Sequence, residues 1–373
     1  KIEACICDCP RLCCNMGCSS SKPHSSFTPR CALAIPRSLE SLEDSKPTSP
    51  ASIGGEFDAN WRVVQKIGEG SFALVYEVAN CRSSQFAALK IPSLSCDNRQ
   101  CDKESRIWKK IGRHDNIVDL IDAFMIHDVC VLLMEKCDGS LSELMRDLPM
   151  VSETAMARMF YQMTSAVAHL ERQNIVHRDI KPDNFLCKGF DHTLKLCDFG
   201  FAKVMPKSEE LYGTFGTPRF MSPEMVGEGP HDLKTDVWSL GATWYLMLYG
   251  ETPYATSHSS AEGVMRAIAL GYPEPSYQGR RSVSSVVKEG VVAMLHRPRV
   301  SRISAAQALG LACMRLATEP FSPKSSKQSS AMIVEMGSQS TRDGGSSASE
   351  MSFADCYSQP SIRQTSTGRK FTL

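Results

Sequence analysis

The sequence predicts an α+β protein in which strands come first and helices follow. Between residues 61 and 135 the apolar positions alternate in short runs, as in Phe86-Ala87-Ala88-Leu89-Lys90-Ile91 and again over 129–135. Past Gly139 the period changes to 3.6, and Ala155, Met159, Met163, Ala166 and Leu170 fall on one face of a long helix. Two apolar runs inside the helical half, 174–176 and 193–197, each end in a compact polar signal. His177, Arg178, Asp179, Lys181 and Asn184 follow the first, and Asp198, Phe199 and Gly200 follow the second.

Those two loops carry the chemistry. Asp179 has the short, charged side chain needed to accept a proton from a hydroxyl nucleophile, and Lys181 places a positive charge two residues on. Asn184 and Asp198 offer hard oxygen ligands of the kind magnesium prefers. With HRDIKPDN at 177–184 and DFG at 198–200, the chain resembles the eukaryotic protein kinase family. The resemblance implies two lobes, a small mainly antiparallel β-sheet lobe with one key helix and a larger, mainly α-helical lobe. It further implies ATP and Mg2+ as cofactors, and transfer of the γ-phosphate to Ser/Thr hydroxyls of protein substrates in intracellular signalling.

Composition sets the bounds. The 373 residues hold 42 Lys plus Arg against 41 Asp plus Glu, a net charge of +1 that gives no support to nucleic-acid binding across the surface. Seven of the 16 cysteines precede residue 32 and the rest are scattered without paired spacing, so free thiols in a reducing, cytoplasmic setting are expected. No apolar run reaches the ~18 residues needed to cross a bilayer.

Residues 1–60 are Cys-rich and then Ser/Pro-rich, and are expected to be a disordered tether. Within them Met16-Gly17-Cys18-Ser19-Ser20-Ser21 fits the N-myristoylation pattern at Gly17, with Cys18 beside it for palmitoylation. Were translation to start at Met16, two acyl chains would hold the protein at the cytoplasmic face of a membrane.

The kinase-like pattern spans 61–316. A strand over 61–67 leads into Gly68-Glu69-Gly70-Ser71-Phe72-Ala73-Leu74-Val75, a turn and a returning strand. Glycines at 68 and 70 let backbone amides approach phosphates, and Phe72 can cover them. The resemblance makes this the ATP clamp, with Val75 against the adenine and Ala73 departing from the family's third glycine. On the next strand Ala88 and Lys90 share a face, the first leaving room for adenine and the second reaching the phosphates. Glu104, Ile107, Trp108 and Ile111 form one stripe of a helix that aims Glu104 at Lys90, and the resemblance sets Trp108 against Phe199, where such helices usually carry an aliphatic residue. Strands over 117–122 and 129–135 follow. The second enters a hinge where, by resemblance, Met134 controls depth and the backbone of Glu135 and Cys137 bonds the adenine edge.

In the second lobe the resemblance packs His177 under Phe199 and pairs Arg178 with a phosphorylated residue of the activation segment, 198–224. Ser208, Tyr212 and above all Thr214 are the candidate acceptors, for an upstream kinase or for autophosphorylation. Gly213 stands in the usual slot four residues before Thr217, so the switch is expected to be shifted or replaced. Thr217 with Lys181 matches the serine/threonine type. Arg302 is expected to bind Glu224, and Asp236 the backbone of the 177–178 turn. A helix from Ser304 to about Leu316 closes the domain, and 317–373 is expected to be a Ser-rich disordered tail.

Two alternatives use the same residues differently. A pseudokinase scaffold recruited to membranes would keep the fold without turnover, and Ala73 is what points to it. A lipidated interaction module would make catalysis incidental. Asp138, Glu143 and Asp183 suggest basic residues near the acceptor. A calcium/calmodulin-kinase-like affinity is open, although no calmodulin-target helix stands out, and the subfamily stays unassigned.

Overall fold

The computed structural model describes residues 60–318, apart from 71–72, 93–97, 127–128, 148–150, 206–209, 255–259 and 280–281. The expectations for Gly17, Cys18, Ser71, Phe72, Ser208 and the two tails lie outside the described residues.

Five strands form the first sheet: β1 (Trp61–Glu69), β2 (Ala73–Asn80), β3 (Phe86–Pro92), β4 (Leu120–Ile126) and β5 (Val129–Glu135), in the order β1-β2-β3-β5-β4 and antiparallel throughout. Alternation sends residues to two faces. Val75, Ala88, Leu132 and Met134 join the main core, while Tyr76, Val78, Ala87, Leu89, Ile91, Val131 and Leu133 build a second, smaller core on the other side. Helix α1 (Asn98–Ile111) lies between β3 and β4 in the chain and buries the expected stripe of Glu104, Ile107, Trp108 and Ile111.

The fourth strand starts three residues later than its apolar run suggests. Ile117 instead bridges Leu196, and the Val118 amide donates to the Leu196 carbonyl at 2.9 Å, so this piece of chain is drawn to the second lobe. The free-thiol expectation also fails at one pair, because Cys101 of α1 and Cys130 of β5 are joined in a disulfide. Both are buried between the helix and the sheet, a proximity that a spacing of 29 residues does not disclose.

After the short β6 (Gly139–Ser140) and α2 (Leu141–Asp147) comes α3 (Glu153–Arg172), capped by the Ser152 hydroxyl, which accepts from the Ala155 amide. The expected face is buried at Met163, Ala166 and Leu170, and at its N-terminal end the burial shifts by one position. Ala155 and Met159 are half-buried, whereas Met156, Phe160, Met163, Val167 and Leu170 are buried, because Phe160 stacks on Trp244 at 4.1 Å. Glu143 is engaged locally, accepting from the Ser140 amide at the start of α2, and Asp138 accepts from the Gly189 amide.

Strand β7 (Ile175–Val176) pairs with β10 (Lys203–Val204), and β8 (Phe185–Lys188) lies between β6 and β9 (Thr193–Leu196). These small sheets hold the polar loops at their ends. Below them lie α4 (Pro223–Val226), α5 (Lys234–Tyr249), α6 (Ala261–Leu270) and α7 (Ser285–Met294). Helix α5 is buried along nearly its whole length and stops at Gly250, whose φ of +82° is the left-handed cap that glycine adopts without strain. The expected closing helix is broken. Gly310 turns back onto the Gln307 carbonyl, leaving α8 (Ala305–Ala308) and α9 (Arg315–Thr318) on either side.

Candidate active site

The register β3 takes against β2 and β5 sets Lys90 opposite Val75 and Leu132, and Ala88 opposite Met134. Lys90 Nζ donates to Glu104 Oε1 at 2.9 Å and to Asp198 Oδ1 at 2.8 Å. One ammonium therefore lies between two carboxylates from different elements. Burial alone would lower the lysine, but the two carboxylates more than offset it, and the ammonium is held charged. Burial and Asp198 push the Glu104 carboxyl up, despite Lys90. Asp198 is half-buried, and Lys90 draws it down to about 2 against the effect of burial. Glu104 also accepts from the Phe199 backbone, and the Phe199 ring sits 5.0 Å from Trp108 and 5.3 Å from His177. An aromatic column thus joins α1 to the loop after β7.

At the other end of that column the turn is fixed from beneath. Asp236 of α5 accepts from the His177 and Arg178 amides, at 2.6 and 2.8 Å, and Arg178 holds a left-handed φ of +70°. His177 Nε2 bonds the Cys197 carbonyl at 3.0 Å. Asp179 is buried and closely surrounded. The Thr217 amide and hydroxyl donate to its Oδ1 at 2.9 and 2.8 Å, and Lys181 Nζ lies 2.9 Å from its Oδ2. Asn184 Nδ2 donates to the Asp179 carbonyl at 2.7 Å and reaches Oδ2 at 3.2 Å. Lys181 also donates to the Thr217 hydroxyl at 2.9 Å, so Asp179, Lys181 and Thr217 form one closed set. Burial works against the Lys181 charge, but Asp179 raises it further.

Asn184 Oδ1 is buried and has no partner among the described residues. The Cys197 amide donates to the Asn184 carbonyl at 2.9 Å, which keeps positions 184 and 198 on neighbouring stretches of backbone. An orphaned amide oxygen near a charged carboxylate is a donor set that suits a hard divalent cation such as magnesium. Where the resemblance expects the adenine, Val75, Ala88, Met134 and Cys137 are buried in the core. The Glu135 amide donates to the Asp119 carbonyl at 2.9 Å. Gly70 donates to the Ala73 carbonyl at 2.9 Å, closing the turn, and Ala73 is an ordinary first strand residue, paired with Pro92.

The far end of the activation segment is tied down by charge. Arg302 makes a two-pronged contact with Glu224, at 2.7 and 3.0 Å, and both are largely buried. Burial would raise the Glu224 carboxyl, but Arg302 holds it below the usual range. The departures at 220 and 222 are accommodated: Phe220 is buried, and the Ser222 hydroxyl bonds that of Thr235. Arg178 meets its partners within the segment itself. Its Nε donates to the Phe201 carbonyl at 2.7 Å and its guanidinium lies 3.9 Å from the centre of the Phe215 ring. Thr214, the favoured acceptor, instead donates its hydroxyl to the Met225 carbonyl at 3.3 Å. Phe215 was missed by sequence reasoning, and its signal was the pair of glycines at 213 and 216 around it.

Fold and site together define the two-lobed protein kinase architecture. The chain belongs to the protein kinase family, whose protein kinase domain matches residues 61–313, more than half of its length. It is similar to serine/threonine-protein kinase 36 of Pongo abelii, 38% identical over 204 residues, covering 53% of this chain and 15% of that protein. It is also similar to serine/threonine-protein kinase DCLK1 of Rattus norvegicus, 33% identical over 261 residues, covering 67% and 58% of the two chains. A probable myosin light chain kinase of Dictyostelium discoideum is 31% identical over 223 residues, 57% of each. The matches thus span less than two thirds of these relatives' lengths.

Proposed function

We propose that the protein is a serine/threonine protein kinase that transfers the γ-phosphate of ATP to seryl and threonyl hydroxyls of protein substrates. The observation that carries this is the meeting of Asp179, Lys181 and Thr217 beside the orphaned Asn184 oxygen, in a chain whose relatives are named serine/threonine kinases. Asn184 and Asp198 would hold magnesium, and Lys90 with the 68–73 turn would hold the phosphates. Bound magnesium supplies neutralising charge for the transferring phosphoryl group. The rest falls to the chain's own side chains. Asp179 already accepts a hydroxyl at Oδ1, from Thr217, and would accept a substrate hydroxyl at the same carboxylate, orienting it and taking its proton. Lys181 remains charged beside it and offsets charge as the hydroxyl oxygen attacks. Glu104 keeps Lys90 in place, so the position of α1 decides whether the site is assembled.

The test is magnesium-dependent phosphate transfer to a degenerate serine/threonine peptide library, by the full chain and by Asp179→Asn and Asp198→Asn. Transfer by the parent and loss in both variants is expected. Undiminished transfer in the variants contradicts the assignment.

No helix among the described residues is long and apolar enough to cross a membrane. The Met16-Gly17-Cys18 run supports peripheral attachment of a cytoplasmic enzyme through acyl chains, which labelling of a cell-expressed chain with a myristate analogue would check.

A further inference from the structure

We propose that Phe215 is a positioning residue that takes the place of a phosphate, holding Arg178 and the 213–217 segment in working order when the activation segment carries no phosphorylated residue. The proposal rests on the kinase reading above.

Arg178 is buried, and the carboxylate that acts on it, Asp236, is already occupied by two backbone amides. What meets its guanidinium is the Phe201 carbonyl, at 2.7 Å from Nε, and the face of Phe215, at 3.9 Å. The negative face of an aromatic ring attracts a desolvated cation, so the ring supplies part of what a phosphate would.

The seat is built for that ring. Gly213 has φ +101°, and a Cβ there would stand 2.8 Å from Phe215 Cε2, so any side chain would displace the ring. Gly216 has φ +91°, and a Cβ there would lie 2.2 Å from the Arg178 carbonyl oxygen. Phe215 is therefore clamped between a bare backbone on one side and a guanidinium on the other. The next residue after Gly216 is Thr217, whose amide and hydroxyl both bind Asp179. The ring thus fixes the stretch of chain that reaches the proposed base.

Neither neighbouring position is arranged to put a phosphate on Arg178. Gly213 has no hydroxyl, and that of Thr214 faces the Met225 carbonyl. The incoming end of the stretch is held separately, by Leu211 and His231 exchanging backbone hydrogen bonds at 3.1 and 2.8 Å and by Arg299 on Glu210 at 2.6 Å.

The experiment uses the full chain, treated with a phosphatase until mass spectrometry finds no phosphate on residues 198–224. Peptide phosphorylation rates and amide hydrogen exchange over 210–222 are measured on the parent, Phe215→Ala, Phe215→Leu and Phe215→Tyr. The dephosphorylated parent is expected to keep its rate within about twofold, and Phe215→Ala to lose about tenfold in kcat with little change in KM for ATP, the scale of one desolvated cation–aromatic contact. Phe215→Tyr, which keeps the ring face, restores rate and protection, whereas Phe215→Leu, which keeps only bulk, does not. Loss of activity on dephosphorylation overturns the proposal, as does a leucine variant indistinguishable from the parent. Should the parent transfer no phosphate in any state, the kinase reading fails and hydrogen exchange alone decides: protection lost in the alanine and leucine variants but kept in tyrosine supports the role of Phe215, and unchanged protection overturns it.

Discussion

The upper and lower halves of the cleft hold their carboxylates by different means. Around Lys90, one ammonium serves Glu104 from α1 and Asp198 from the loop after β9, so the arrangement depends on where a helix sits. Around Asp179, the partners are an amide, a hydroxyl, an ammonium and a carboxamide on neighbouring loops, above a turn that Asp236 pins through two amides. The lower half is prebuilt, and the upper half is conditional. Chemistry can be lost at the lower half with the structure intact, whereas at the upper half, assembly itself is at stake.

Asp179→Asn removes the proposed proton acceptor and keeps the shape. Transfer is expected to fall by about 10²–10⁴-fold, while the thermal midpoint stays near that of the parent; initial rates and calorimetry on one preparation check both. Stability is most exposed at the segment's far anchor. Glu224→Gln leaves the Arg302 guanidinium buried without its carboxylate, and should cost about 3–5 kcal/mol in denaturant unfolding. Glu104→Gln sharpens the contrast between the halves. It leaves Lys90 with Asp198 alone, and transfer should fall by about 30-fold, the worth of one charge-assisted bond, with weaker ATP binding as well.

The smallest effect is acid sensitivity. The folded Glu224 carboxyl lies below its ordinary 4.5, so its contribution is full above that pH and is lost as pH falls through the lower folded value. Asp198, drawn from 3.8 to about 2, behaves likewise at lower pH. Unfolding of the parent should steepen below about pH 4.5, and Glu224→Gln should flatten the upper part of that slope, as measured by urea titration at stepped pH.

The lower half was legible because its polar residues are contiguous: 177–184 and 198–200 announce a loop pair, and a strand before each places it. The Lys90 and Glu104 contact was legible from a helical stripe and a two-residue alternation. What escaped depends on partners distant in the chain. Ile117 and Val118 look like strand until Leu196, nearly 80 residues on, claims them. The shifted burial at the start of α3 is set by Trp244, and the disulfide by the packing of α1 on β5. Phe215 meets Arg178 only because residues 178, 213 and 216 all take left-handed backbone, which no apolar period reports.

The most direct measurement compares ATP affinity with single-turnover transfer to a serine peptide, in Asp179→Asn and Glu104→Gln. A prebuilt lower half predicts that Asp179→Asn binds Mg-ATP within about twofold of the parent but transfers about 10²–10⁴-fold more slowly, while Glu104→Gln loses both. Parent-like transfer by Asp179→Asn, or a loss confined to its nucleotide binding, would contradict the division of labour between the two halves.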